Sequence, residues 1–159
     1  MTIATAESLA VHKTVVVAAP QAVAFEVFTA RLASWWPMPS HHIGKAECAD
    51  VVIEPRVGGR WFERGTDGSE CDWGRVLAWE PPGRVVLAWQ LSAQWAFDPA
   101  LKTEVEVRFV AVDAGHTQVD LEHRGLEAYG PEALAMREAF GSANGWNGML
   151  EHYAAVAGR

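Results

Sequence analysis

The sequence predicts an α+β domain in which an antiparallel sheet with one aromatic face is covered by a long C-terminal helix. Three observations carry this. Between Trp73 and Leu91, two runs of period-two alternation flank Pro81-Pro82-Gly83, as a β-hairpin requires. Val105, Val107 and Phe109 alternate with Glu104, Glu106 and Arg108, and Val119, Leu121 and His123 alternate with Gln118, Asp120, Glu122 and Arg124, as strands with one face in water do. After Pro131, Phe140, Ala143, Asn147, Leu150, Ala154 and Ala157 recur at steps of three and four, with Met136 extending the stripe and Trp146, Met149 and Tyr153 widening it.

The elements follow in order. Val15-Val16-Val17 is β-branched and reads as a strand that stops before Pro20, a residue suited to the first turn of a helix. Val23, Ala24, Val27 and Phe28 place a short amphipathic helix over residues 20–30, and 31–36 reads as a second short helical turn ended by Pro37-Met38-Pro39. Ser40 to Gly44 is a loop by composition. Strands are expected over 45–54 and 58–64, separated by a break at Pro55 to Gly58, with Gly65-Thr66-Asp67-Gly68 as a turn. In the hairpin, Trp73, Arg75, Leu77 and Trp79 should share one face, opposite Asp72, Gly74, Val76 and Ala78; Val85, Leu87, Trp89 and Leu91 resume the pattern. Ser92 to Ala100 lacks a period and reads as a bulged loop. Asp113-Ala114-Gly115 turns the chain between the last two strands. One helix is expected from Pro131 to Ala157. Gly141, Gly145 and Gly148 lie inside it, each costing about 0.8–1 kcal/mol relative to alanine, so they either admit a close neighbour or leave space over the sheet.

At 159 residues the chain reads as one domain, 11–159, preceded by a frayed tail, 1–10, that lacks the basic start of a secretory signal. A domain of this length buries roughly 70% of its unfolded surface. No apolar run approaches the ~20 residues of a membrane span, so no membrane insertion is expected. A net charge of −7 argues against a nucleic-acid surface, which would need clustered Lys and Arg. Cys48 and Cys71 fall on strands with one strand between them. Two inter-strand steps of ~4.8 Å exceed the ~7 Å that a disulfide spans between Cα atoms, so both are expected as free thiols in a reducing, cytoplasmic compartment.

Residues able to do chemistry are sparse. His41-His42 point in divergent directions and no HxH, HxxxH or HExxH spacing exists, so no metal is expected. No GxSxG elbow, GxGxxG or GxxxxGK[ST] occurs, so neither a nucleophile nor a nucleotide cofactor is expected, and Gly58-Gly59 reads as a bulge or tight turn. Glu54 and Glu63 on neighbouring strands are the one candidate carboxylate pair, against the alternative of an ordinary solvated face. His123 reads either as a buried polar residue bonded to a neighbour or as a cavity group that orients a ligand. The tryptophans divide between a filled core and the lining of an internal cavity, since ligand pockets are mainly apolar and aromatic. Candidate lining residues are Trp36, Trp61, Trp73, Trp89, His123, Trp146, Met149 and Tyr153, with His42, Trp95 and Phe97 at the mouth.

Gly58-Gly59-Arg60-Trp61, Asp67-Gly68, Trp73-Gly74-Arg75-Val76, Glu80-Pro81-Pro82 and Trp89 together resemble the heat-shock-protein ATPase activator-like (AHSA-type) branch of the START-like, or SRPBCC, superfamily. Trp35-Trp36-Pro37, the run Thr117 to Leu126, and Gly145-Trp146 followed by Leu150 agree, and the likeness extends from about Val11 to Val156. The resemblance implies a helix-grip fold: a curved antiparallel sheet wrapped around a long C-terminal helix, two short helices between strands 1 and 2, and a cavity between sheet and helix. The expected function is binding of a small apolar or aromatic molecule there. The alternatives are a chaperone-regulating protein-binding module and a cyclase or hydrolase acting in the cavity. The eukaryotic activators resemble this chain only in their C-terminal half, and their N-terminal domain has no counterpart expected here. An exposed edge strand could support a homodimer.

Overall fold

The structure, a computed structural model, describes residues 9–158. Residues 1–8 of the expected tail lie outside the described residues. Leu9 is already tied to the fold, its carbonyl accepting the Leu126 N–H. The elements are β1 (Val11–Val17), α1 (Gln21–Phe28), a 3-10 turn at Leu32–Ser34, β2 (Cys48–Ile53), β3 (Arg60–Gly65), β4 (Glu70–Glu80), β5 (Arg84–Trp89), β6 (Thr103–Asp113), β7 (His116–Arg124), a 3-10 stretch Leu126–Glu132, α2 (Ala133–Phe140) and α3 (Trp146–Ala157). Seven strands form one antiparallel sheet in the order β1-β7-β6-β5-β4-β3-β2. The sheet curls into a half-barrel around the helices, which is the helix-grip architecture. Val85, Leu87, Val105, Val107, Val119 and Leu121 supply its concave face, all essentially inaccessible to water.

Two helical elements between β1 and β2 close one end. Pro20 caps α1 from an extended conformation, where its missing N–H costs nothing. Phe25 and Phe28 of α1 meet the Phe109 ring edge-on at 5.1 and 5.7 Å. Tyr153 of α3 donates its hydroxyl to Ala24 O, and the Trp35 indole donates to Val27 O, so the short helix is pinned from both sides. The convex face is polar and ion-paired. Burial pushes the Glu106 carboxyl up, but Arg84, Arg124 and Arg108 outweigh it and hold it below the usual carboxylate range.

The hairpin departs from simple alternation. Leu77, expected on the tryptophan face, is 43% exposed, Arg75 pairs with Asp72, and Val76 is buried instead. Register shifts between Trp61 and Phe62 and between Val76 and Ala78 each insert one residue into β4. The inward positions become Trp73, Val76 and Trp79, the last packing its indole against Phe25 at 5.1 Å. Gly74 makes the first bulge possible: a Cβ there would sit 1.7 Å from Ala88 O. The Pro81-Pro82 bond in the turn is cis.

The single C-terminal helix expected from Pro131 is two helices, α2 and α3, broken over 141–145. A Cβ at Gly145 would lie 2.3 Å from Phe140 O, so the chain folds back on the end of α2 where only glycine fits. Met149 N then donates to Gly145 O and starts α3. The break rotates the buried stripe. Ala143 and Asn147, expected inside, are exposed, and Trp146, Met149, Leu150, Tyr153 and Ala157 face the core. Cys48 and Cys71 are free thiols on β2 and β4, with β3 between them. Among the described residues, no helix is long and apolar enough to cross a membrane.

Candidate functional site

Tryptophans fill much of the space between sheet and helices. Trp61, Trp146 and Tyr153 are fully buried, and the indoles of Trp36, Trp73, Trp61, Trp89 and Trp146 form one chain of ring contacts at 5.0–5.9 Å. The packing is incomplete at the end where the C-terminal helix breaks. There a pocket of about 520 Å³ opens between the 40–43 loop, the Trp73 and Trp89 positions of β4 and β5, and residues 139–149.

Of the candidates, Trp36, Trp73, Trp89 and Met149, together with His42 and Trp95 expected at the mouth, line this pocket. Trp61, His123, Trp146, Tyr153 and Phe97 do not. Trp61 and Trp146 stand behind Trp89 in the core, and Tyr153 is bound to α1. The His123 ring packs in one cluster with Phe140 and Trp89, and Phe97 pairs its backbone with Leu91. Sequence reasoning missed Ser40, His41 and Asn144, because the helix break that brings them together leaves no periodic trace. Trp95 sits at φ 60°, a left-handed conformation uncommon for a large residue, and this holds its indole 48% exposed at the mouth.

The rim is fixed by a chain of hydrogen bonds. Trp36 Nε1 donates to His41 O at 2.9 Å. His41 Nε2 lies 2.7 Å from Asn144 O, and since a carbonyl only accepts, that nitrogen carries the proton and Nδ1 accepts from Ser40 Oγ at 2.7 Å. His41 therefore straps the loop to the helix break. Behind the loop, Glu63 is 2% exposed and accepts N–H groups from Ile43 (2.7 Å), Gly44 (3.0 Å) and the Trp73 indole (2.8 Å). It is neither the solvated residue nor the partner of Glu54 that the sequence offered. Glu54 binds the Arg60 N–H and pairs with Arg56.

Electrostatics divide the titratable groups by role. Burial pushes the His123 pKa down to about 3, so the ring is neutral. Its Nδ1 accepts the Trp146 indole N–H at 3.1 Å and its Nε2 bonds Thr103 Oγ1 at 2.9 Å, the arrangement of a satisfied core histidine. Burial, and then the Glu63 charge, push the Cys48 and Cys71 thiols up, which keeps them from acting as thiolates. Trp61 Nε1 and Trp89 Nε1 are buried without an acceptor at bonding geometry, although the Trp89 indole neighbours the Tyr129 hydroxyl. Among the described residues no cluster of three metal-ligating side chains exists.

Residues 18–158 match the family described as Activator of Hsp90 ATPase homolog 1-like protein. Among solved structures, an anthrahydroquino-gamma-pyrone synthase, Txn09, complexed with SUM, is 41% identical over 94% of this chain and 97% of its own, with a TM-score of 0.66. CalC from Micromonospora echinospora, a self-sacrificing resistance protein, is 29% identical over 93% of each chain, with a TM-score of 0.69. The Aha1 dimer from Colwellia psychrerythraea is 14% identical over 94% of this chain and 96% of that one, with a TM-score of 0.62, a likeness of fold alone. No curated protein matches the chain. Matched over most of its length and built on the expected helix-grip fold, this chain belongs to the Activator of Hsp90 ATPase homolog 1-like family.

Proposed function

We propose that the protein binds a flat aromatic small molecule bearing phenolic or quinone oxygens in the pocket at the helix break. One observation carries the reading: four indoles, Trp36, Trp73, Trp89 and Trp95, converge on a space of about 520 Å³ whose polar side chains are confined to Ser40, His41, His42 and Asn144. That volume lies within the roughly 300–1,000 Å³ of small-molecule sites, and a mainly apolar wall with few polar groups is their usual composition. Indole faces suit a flat ring system, which they contact over a large area at little entropic cost. The 41% identical relative is named for an anthrahydroquino-gamma-pyrone, and this supports an oxygenated polycyclic ligand over a lipid chain. The 14% likeness to the Aha1 dimer brings no chaperone partner with it.

Titration with 1,8-dihydroxyanthraquinone tests the reading through tryptophan fluorescence. Saturable quenching at micromolar concentrations is expected. Ala139→Phe, at an exposed helix position that lines the pocket, should weaken binding by at least ~10-fold without lowering the melting temperature. Absence of saturation with this probe and related aromatic polyketides, or equal binding by Ala139→Phe, would overturn it.

A further inference from the structure

His42 and His41 are adjacent, yet their nitrogens are used differently. Both His41 nitrogens are occupied, one by Ser40 and one by Asn144. His42 Nδ1 lies 3.0 Å from Gly44 O, and a carbonyl cannot donate, so Nδ1 carries the proton. In the neutral ring Nε2 is then an unprotonated acceptor, on a half-buried side chain that lines the pocket. The same Nδ1 stands 3.8 Å from Glu63 Oε2. The segment that presents the imidazole also wraps the carboxylate, because the Ile43 and Gly44 N–H groups both donate to Glu63. Orientation of the ring and placement of the charge behind it are thus one structural feature. Gly44 permits it: a Cβ there would come within 3.0 Å of Glu63 Oε2 and 3.3 Å of Cys71 Sγ.

Among the described residues, no Asp, Glu, Lys or Arg lines the pocket. The groups that bear on His42 are therefore Glu63 from β3, the neighbouring His41, and the Cys71 thiol of β4 packed by Gly44. An acidic hydroxyl entering this pocket meets one base with a free lone pair and one buried carboxylate behind it.

We propose that His42 is the acid–base residue of the pocket and that Glu63 is its positioning residue, acting on a phenolic or enolic hydroxyl of the aromatic ligand. The proposal rests on the function proposed above. In the step, the ligand O–H bond breaks with its electron pair left on oxygen, and the proton forms a new bond to Nε2 through that nitrogen's lone pair. The products are an oxyanion and an imidazolium whose Nδ1–H stays on Gly44 O and faces the Glu63 carboxylate. No redox partner or metal is required. An oxyanion so formed is a stronger nucleophile than the parent hydroxyl, and the imidazolium can return the same proton to the ligand oxygen, which restores the neutral ring.

Alizarin, whose visible band shifts when its phenol ionises, supplies the test. Bound probe is followed across pH by absorbance, with occupancy checked independently by tryptophan quenching. At saturating probe, His42→Gln should raise the apparent ionisation of bound alizarin by at least about one pH unit, since the base and its incipient positive charge are gone. Glu63→Gln, checked for folding by thermal melting, should shift it in the same direction by less. Superimposable ionisation curves for wild type and His42→Gln at saturating probe would overturn the assignment while leaving the binding reading intact. Failure of wild type to bind alizarin would overturn both.

Discussion

Replacing Glu63 by leucine is expected to destabilise the protein by at least about 3 kcal/mol and to release the pocket rim. The carboxylate satisfies three N–H donors, those of Ile43, Gly44 and the Trp73 indole, in a site only 2% exposed. A hydrogen bond to a charged group contributes about 1.5–3 kcal/mol, and a buried donor left without an acceptor costs about 1–3 kcal/mol. Leucine also removes the cost of burying a charge, so the net loss lies well below the sum of three such terms. Glutamine keeps one acceptor oxygen but turns an NH₂ toward at least one of the donors, and its cost should be smaller than that of leucine. Urea denaturation of the two variants against wild type measures the order directly. A loss under about 1 kcal/mol for Glu63→Leu would show that the rim does not depend on this carboxylate.

Acidification is expected to weaken the fold through His123. Burial holds its folded pKa near 3 against an ordinary value of 6.5. Below pH 6.5 the unfolded chain takes up a proton that the folded one refuses, so the stabilisation is fully present above pH 6.5 and is lost as pH falls towards 3. Between pH 6.5 and pH 5 the loss is about 2 kcal/mol, at 1.36 kcal/mol per unit. The structural cause is specific. Nδ1 receives the Trp146 indole N–H, and a proton there would set two donors against each other. His123→Phe removes the titration but leaves Thr103 Oγ1 and the Trp146 N–H without their partner. It should therefore be less stable than wild type at neutral pH, with the gap narrowing by about 2 kcal/mol at pH 5. A gap independent of pH would mean that the ring is not held neutral.

What could be read from the residues was local. Pro20 before α1, the Pro-Pro-Gly turn, and the alternation through Val105–Phe109 and Val119–His123 each encode their conformation within a few positions. The bulges at Trp73 and Leu77 could not be read this way. An inserted residue is defined by the partner strand, and Val76 looks no different from Leu77 until β5 is paired beside it. Gly145 announced an anomaly in the last helix without saying that the chain breaks there, because that depends on the approach of Phe140 O. Glu63 shows the same limit. Its burial is set by two amides of a loop far away in sequence and by an indole on β4, none of which marks the position itself. Among the tryptophans, core and lining positions share one face and one chemistry, so only the packing around the helix break separates Trp61 and Trp146 from Trp89 and Trp36.

The protein's eight indole N–H groups give the most direct measurement, a nitrogen–proton correlation spectrum recorded with and without 1,8-dihydroxyanthraquinone. Trp36, Trp73, Trp89 and Trp95 face the pocket and should show the largest shifts. Trp35 and Trp79, packed against Phe28 and Phe25, should stay in place. Shifts confined to Trp35 and Trp79, or no indole response at saturating probe, would contradict an aromatic-binding pocket at the helix break.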